Sequence, residues 1–252
     1  MVTILQKNIE KPLGLFIDLD GTALSSNEIP NQNVLNSIKL AAEKIPVSLA
    51  SGRMHEDVSH FARLFGLSYP QISDNGARIL DPVSGHVLYE ATICEIEAKR
   101  IVKKISLNSK LFFAGESGRL LTCVDDINLW EISAITVELR DRIEAHDWCN
   151  ELSTDRVDGV VSVGSRGEWY ANFTKRKINK GSAILKVAEY IEVDAKSLMA
   201  IGDGSNDLDM FKVVGTSVAM GQSIPEVKQK ATFVTGSVGC DGLVDAINEF
   251  IL

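Results

Sequence analysis

The chain has 252 residues, 45% hydrophobic and 24% charged, enough for one large domain or two modest ones with a real core. A formal net charge of −8 argues against nucleic acid or an anionic membrane as the main partner. It leaves an anionic substrate open, because a bound metal and a few placed cations decide local charge. Cys94, Cys123, Cys149 and Cys240 lack metal-ligand spacing and read as reduced, partly buried thiols of a cytosolic protein. Met1 to Lys11 reads as a short extension without a signal-peptide apolar segment, and no apolar stretch is long enough to span a membrane.

Leu13 to Ile17 is an apolar run of strand length, predicted to be a buried parallel strand. It ends in Asp18-Leu19-Asp20-Gly21-Thr22, at the strand end where ligands gather in open α/β sheets. With a side-chain period of two, the Asp18 and Asp20 carboxylates leave on the same side. Two such charges are costly unless a cation sits between them or one stays protonated. Residues 23–30 are polar and turn-like. A helix is predicted over 33–44 and a strand over 45–50, followed by Ser51-Gly52-Arg53. A helix over 55–65 precedes the Asp74-Asn75-Gly76 turn, with strands over 71–73 and 77–80 flanking it.

From about 81 to 174 the rhythm changes. Strands are expected over 86–89, 111–114, 120–124, 159–163 and 169–173, with helices over 93–105 and 141–152, a pattern of antiparallel α+β type. The alternating rhythm resumes at Lys180. Helices are expected over 181–191, 206–213, 224–230 and 241–250, with strands over 198–201, 217–219 and 232–234. The expected architecture is α/β: a doubly wound parallel-sheet core in two segments, 1–80 and 179–252, with an α+β domain inserted over 81–178.

Three other chemistries fail on the residues. Neither Asp18 nor Asp203 opens a calcium loop, since the required Gly is missing at the sixth position of each. Gly202 and Gly204 are followed by Asp207 where a dinucleotide fingerprint needs Gly. Ser117 and Ser165 lack the complete Gly-x-Ser-x-Gly elbow. His60, His86 and His146 are scattered and read as structural. Trp130, Trp148 and Trp169 read as core of the inserted region, with at most one facing a substrate. Lys180 taken alone would be an ordinary surface lysine at a helix start.

Taken together, the motifs resemble those of the haloacid dehalogenase superfamily of phosphotransferases. Residues 13–22 match its first motif, Val47 to Arg53 the second, Lys180-Gly181 the third, and Gly202-Asp203-Gly204-Ser205-Asn206-Asp207 the fourth. The Asp74-Asn75-Gly76-Ala77 element is similar to the Cof-type (IIB) branch. Ala23 departs from the family's usual Leu at a position that packs the turn. The resemblance implies a Rossmann-like core, an α/β cap and a cytoplasmic phosphoric monoester hydrolase, monomer or homodimer, acting on a small phosphorylated metabolite.

It also implies roles. Asp18 would be the nucleophile, forming an aspartyl-phosphate. Mg2+ would be held by Asp18, Asp203 and the backbone carbonyl of Asp20. Asp20 would serve as general acid and then general base, in a drier setting that separates it from Asp18. Ser51 and the N–H groups of Leu19 and Gly52 would donate to phosphoryl oxygens, and Lys180 would bring positive charge to them. Asn206 would donate to the phosphate, and Asp207 would hold Lys180 or a water on the metal without ligating the ion itself. Arg53, His55 and Asn75 are candidates for touching the leaving group, with a solvated loop as the alternative. In the cap, Glu116, Arg119, Arg166 and Glu168 are the charged candidates. A phosphomutase, or a metal-binding protein that has lost catalysis, remains as an alternative.

Overall fold

A computed structural model describes residues 11–164 and 166–252; the expected extension over 1–10 and Ser165 lie outside the described residues. In chain order the elements are β1 (Gly14–Ile17), α1 (Gln32–Ala42), β2 (Val47–Leu49), α2 (His55–Phe65), β3 (Gln71–Ser73), β4 (Arg78–Leu80) and β5 (Val87–Glu90). There follow α3 (Glu95–Leu107), β6 (Phe112–Glu116), β7 (Arg119–Leu121), β8 (Ile132–Leu139), α4 (Arg142–Leu152), β9 (Val157–Val163) and β10 (Trp169–Lys175). The chain closes with α5 (Lys180–Tyr190), β11 (Leu198–Gly202), α6 (Leu208–Val213), β12 (Thr216–Ala219), α7 (Pro225–Lys230), β13 (Phe233–Val234) and α8 (Gly242–Phe250).

A parallel sheet runs in the order β13-β12-β11-β1-β2. Its strands are buried on both faces, which explains the unbroken apolar run of β1. Leu15 and Ile17 pack toward α1, α2 and α8, whereas Phe16 packs toward α5 and α6. Ile17 pairs with Ile201, so the residues just beyond β1 and β11 emerge side by side, and these are Asp18 and Asp203. Local sequence signals set the helix ends. Asn31 caps α1 by accepting from the Val34 N–H at 2.8 Å, and Asn179 with Ser182 forms a capping box at the start of α5.

The inserted antiparallel sheet has the order β7-β6-β8-β10-β9. One face packs against α3 and α4 through Ile135, Val137 and Phe173, among others. Thr136 and Asn172, at alternating positions of the paired strands β8 and β10, line a cavity on the other face. The sequence reading passed over β8, the longest and central strand, although Ile132, Ile135, Thr136 and Val137 give it β-branched character. It also ended the first core segment at 80, whereas β5 pairs antiparallel with β4 and prolongs a three-stranded sheet to Glu90.

The Asp74-Asn75-Gly76 turn joins the two sheets. All three residues have positive φ, at 53°, 52° and 98°. The Asp74 N–H donates to the Arg53 carbonyl and the Asn75 N–H to the Ser51 carbonyl. The buried Asp74 carboxylate accepts from Ser133 of β8 at 2.9 Å. A Cβ on Gly76 would lie 2.2 Å from the Asn179 carbonyl oxygen, so the bare backbone of the turn packs against the residue that caps α5.

Gly76→Ala should therefore cost about 2–3 kcal/mol, combining backbone strain with a clash that only movement of α5 relieves. Gly66→Ala, at the left-handed end of α2 with open space around it, should cost only about 1 kcal/mol. Urea unfolding of both variants checks the contrast.

Candidate active site

The chain brings its charged motif residues to the carboxyl ends of the parallel strands. Asp18 follows β1, Ser51 to Arg53 follow β2, Asp203 to Asp207 follow β11, and Lys180 opens α5. Lys180 is fully buried, and its Nζ donates to Asp18 Oδ1 and to Asp207 Oδ1, each at 2.6 Å. The other Asp207 oxygen accepts the Asp203 and Gly204 N–H groups, both at 2.9 Å. This closeness needs glycines. A Cβ on Gly202 would meet the Asp207 carboxylate at 2.5 Å, and one on Gly21 (φ +76°) would meet Asp203 Oδ2 at 2.3 Å.

Asp18, Asp203 and Asp207 each place a carboxylate oxygen within 4.8 Å of the others. Burial pushes the Asp18 carboxyl well up, reinforced by Asp207, and the Lys180 cation opposes this. Burial and then Asp207 likewise push Asp203 up to about 7. Burial disfavours the Lys180 ammonium, but Asp18 and Asp207 outweigh it and hold the group protonated. Three carboxylates around one ammonium leave a deficit of two positive charges, and all of the donors are hard oxygens. That set fits Mg2+.

Beside this cluster, among the described residues neither the Leu19 nor the Gly52 N–H donates to a protein acceptor. Ser51 Oγ is buried and accepts the Arg53 N–H at 3.0 Å. Asn75 packs directly over Gly52, where a Cβ would lie 2.9 Å from Asn75 Nδ2. Asn206 Nδ2 donates to Asn75 Oδ1 at 3.1 Å.

Arg53 is not a solvated loop residue. Its Nε and Nη2 donate to the two Asp20 oxygens at 2.9 and 2.7 Å, and its guanidinium lies over the Phe61 ring. The expected drier setting of Asp20 is also reversed: its side chain is 21% exposed, whereas Asp18 is 5% exposed. Asp18 ends a buried strand, while Asp20 stands in the turn beyond it. Gln222, which the sequence reading passed over, donates to the Gly21 carbonyl at 2.5 Å and to Asp203 Oδ2 at 3.3 Å.

Residues 15–122 and 122–247 match the family of haloacid dehalogenase-like hydrolases. The chain belongs to that family, in its Cof-type branch. It is a phosphatase by class. It is 28% identical over 237 residues to the phosphoglycolate phosphatase of Methanosarcina acetivorans, covering 94% of this chain and 95% of the relative. It is 27% identical over 281 residues to a 5-amino-6-(5-phospho-D-ribitylamino)uracil phosphatase of Bacillus subtilis, covering 93% and 96%. Among solved structures, a haloacid dehalogenase-like hydrolase from Bacteroides thetaiotaomicron superposes with a TM-score of 0.79 at 21% identity, covering 95% of this chain and 99% of that one. A HAD subclass IIB sugar phosphatase gives 0.77 at 21% identity, covering 94% and 98%.

In this haloacid dehalogenase-like hydrolase, Asp18, Asp20, Arg53 and Asp203 open into a cavity of about 520 Å³ between the parallel sheet and the inserted one. The inserted unit supplies apolar wall from Phe113, Leu120, Val161 and Trp169, and polar groups from Thr136, Ser162 and Asn172. None of these except Trp169 was singled out from sequence. Arg166 and Glu168 do reach the cavity. Glu116 does not: it is buried and accepts the N–H groups of Asn128, Leu129 and Trp130. Arg119 lines a separate cleft beside Arg78 and His55. Trp148 belongs to the core beneath α4.

The raised carboxyls set a pH dependence for the metal-free hydrolase. Asp18 and Asp203 hold protons more tightly folded than unfolded. Their contribution to stability is full below the ordinary Asp value of about 3.9 and is lost as pH rises through the folded values, near 7 for Asp203. In chelator, this contribution should make the melting temperature fall between about pH 4 and 7. The stabilisation by added Mg2+, which binds the deprotonated form, should grow over the same window. Thermal melts at fixed ionic strength, with and without Mg2+, check both signs.

Proposed function

We propose that this hydrolase is a Mg2+-dependent phosphatase that cleaves an organic phosphate monoester through an aspartyl-phosphate on Asp18. The buried cluster of Lys180 with Asp18, Asp203 and Asp207 carries this reading. Asp18 and Asp203, with the Asp20 carbonyl, would hold the cation, and Asp207 would orient Lys180. When bound, the ion supplies charge neutralisation for the transferring phosphoryl group. The N–H groups of Leu19 and Gly52, with Ser51, Asn206 and Lys180, seat the phosphoryl oxygens.

In the first step the Asp18 carboxylate attacks phosphorus, the bond to the ester oxygen breaks, and Asp20 delivers a proton to that oxygen. In the second, Asp20 takes a proton from a water that attacks the aspartyl-phosphate, releasing phosphate and regenerating Asp18. A proton on Asp20 is incompatible with the two hydrogen bonds that Arg53 donates to its two oxygens, so that pair has to open before the first step. Arg53 lines the cavity, and an entering phosphate ester offers its guanidinium an alternative partner.

The inserted unit between Glu90 and Asn179 is proposed as a lid that reads the leaving group. Its cavity lies in the size range of pockets that enclose a whole small molecule. A two-carbon leaving group such as glycolate would leave most of it empty, so the volume favours the larger kind of ester. No helix of the described residues is long and apolar enough to cross a membrane. A soluble cytoplasmic setting with a small phosphorylated metabolite as partner belongs to the same proposal.

Asp18→Asn should lower turnover at least ~10³-fold in the folded protein, since an amide is a poor nucleophile. Steady-state rates with Mg2+ against a panel of phosphate monoesters test the activity and rank the leaving groups. Replacing Mg2+ by Ca2+ should inhibit, because the larger ion recruits more ligand oxygens.

Asp20→Asn should cost roughly 10²- to 10⁴-fold on an alkyl phosphate and less on p-nitrophenyl phosphate, whose leaving group needs no proton. Equal losses in single-turnover phosphorylation would remove Asp20 from the proton-donor role.

A further inference from the structure

A second cleft gathers cations that the reaction does not use. It has a volume of about 520 Å³ and shares no lining residue with the cavity that holds Asp18. His55, Ser59 and Arg63 recur at i, i+4 and i+8 on α2, so they form one stripe of that helix, and all three line the cleft. Asp57, on another side of α2, lines the active cavity instead. Arg78 of β4 and Arg119 of β7 complete the group, the first from the core and the second from the inserted unit. The two units meet here: the bare Gly118 turn lies against the Arg78 guanidinium, and a Cβ on it would sit 2.5 Å from Nη1.

The charges in this cleft are not balanced. Against three guanidinium groups the lining offers one carboxylate, Glu56. Glu90 reaches Arg78 Nη2 at 2.8 Å. The Arg63 guanidinium has no ion pair or hydrogen bond among the described residues. Arg119 has the Asp126 carbonyl at 3.3 Å and Glu116 only at 3.8 Å. Arg78 is 4% exposed, yet its Nε is buried without a partner, and its Nη1 makes no hydrogen bond among the described residues. His55 Nδ1 is buried without a partner as well. Buried polar atoms left unmade are costly, and two of them in one cationic cleft mark a place where a ligand supplies what the protein withholds. Burial and then Arg78 push the His55 imidazolium down, with Arg63 acting the same way, so the ring is a neutral hydrogen-bonding group among the arginines.

We propose that His55, Arg63, Arg78 and Arg119 form a second anion site, at the junction of core and inserted unit, for a small organic anion bearing carboxylate or phosphoryl groups. Guanidinium forks match both kinds of group with paired hydrogen bonds. The volume suits a small molecule and exceeds what a bare inorganic ion fills. The local excess of positive charge stands out in a chain of net charge −8. An anion held by Arg63 and Arg78 on one side and Arg119 on the other bridges the two units. The site is independent of the chemistry at Asp18.

The test is isothermal titration of the full chain with sulfate, standing in for a phosphoryl group, and with succinate, a dicarboxylate. Chelator is present, and ionic strength is held constant with NaCl. At least one of the two anions should bind saturably, and the stronger of them assigns the group that the site takes. Arg63→Gln and Arg119→Gln should each weaken that binding ~3- to 10-fold, as loss of a charge-assisted hydrogen bond does. Arg78→Met should remove it. Arg63 and Arg119 are exposed, so their variants keep the test available should the Arg78 variant fail to fold. Ser51→Ala, in the active cavity, should leave the affinity unchanged. Of the four histidines, His55 should show the largest movement of its ring resonances on saturation. Absence of saturable binding of either anion, unchanged affinity in the Arg63 or the Arg119 variant, loss of binding in the Ser51 variant, or an unmoved His55 would overturn the site.

Discussion

The structure turns on a charge imbalance held inside a protein interior. Lys180 is fully buried between two carboxylates, and a third, Asp203, stands beside them. A buried ion pair survives only when its remaining hydrogen-bonding capacity is met. Here the far oxygen of Asp207 takes two backbone N–H groups, and Gln222 reaches Asp203. The bare glycines at 21 and 202 follow from the same crowding, since a side chain at either would collide with a carboxylate. The parallel sheet supplies the frame: β1 and β11 are neighbours in register, and they deliver Asp18 and Asp203 to one place.

The junction with the inserted sheet is built differently. Several of its close contacts are polar or involve glycine: Asn75 with Asn172, Asp74 with Ser133, and Gly118 against the Arg78 guanidinium. Contacts of this kind can exchange with water at modest cost, unlike an apolar core cut in half. The lid proposed for the inserted unit would need that property. The polar junction also explains why three consecutive residues, Asp74 to Gly76, adopt positive φ. The turn must present Asn75 to the cap while its backbone stays tied to Ser51 and Arg53.

Most of the core was legible because burial on both faces leaves a strong trace. Apolar runs that end in Asp or Gly mark β1 and β11, and Val47-Ser48-Leu49-Ala50 before Ser51 marks β2, with the site residues beyond them. Lys180 was legible only through its place among the other motifs, since nothing local distinguishes a buried lysine from a surface one. The cavity floor was not legible. Thr136, Ser162 and Asn172 are single polar residues on strands, and that pattern ordinarily marks a solvent-facing position. Only the position of the inserted sheet over the core turns that face inward. The central strand β8 was lost for a related reason: it is buried almost throughout, so the alternation that reveals a half-exposed strand is absent. Glu116 misled in the other direction, because a carboxylate that satisfies three backbone N–H groups looks in sequence like any charged residue of a cap.

The same electrostatics constrain the order in which ligands arrive. A phosphate monoester near neutral pH brings close to two negative charges to a pocket whose buried groups, when ionised, sum to minus two. Two of the three Lys180 protons are already engaged by Asp18 and Asp207, so the ammonium alone cannot hold the incoming group. The free N–H groups of Leu19 and Gly52 are dipoles, and dipoles orient an anion better than they offset like-charge repulsion at a few ångströms. Burial and the neighbouring carboxylates push the Asp18 and Asp203 carboxyls up, so in the metal-free protein protons compete for the same charge deficit. A protonated Asp18 is no nucleophile. Under the proposed function, Asp18 and Asp203 would hold a divalent cation in place of those protons, which would leave Asp18 in the carboxylate form that a nucleophile needs. On that proposal, metal before substrate is the order that the buried charge favours.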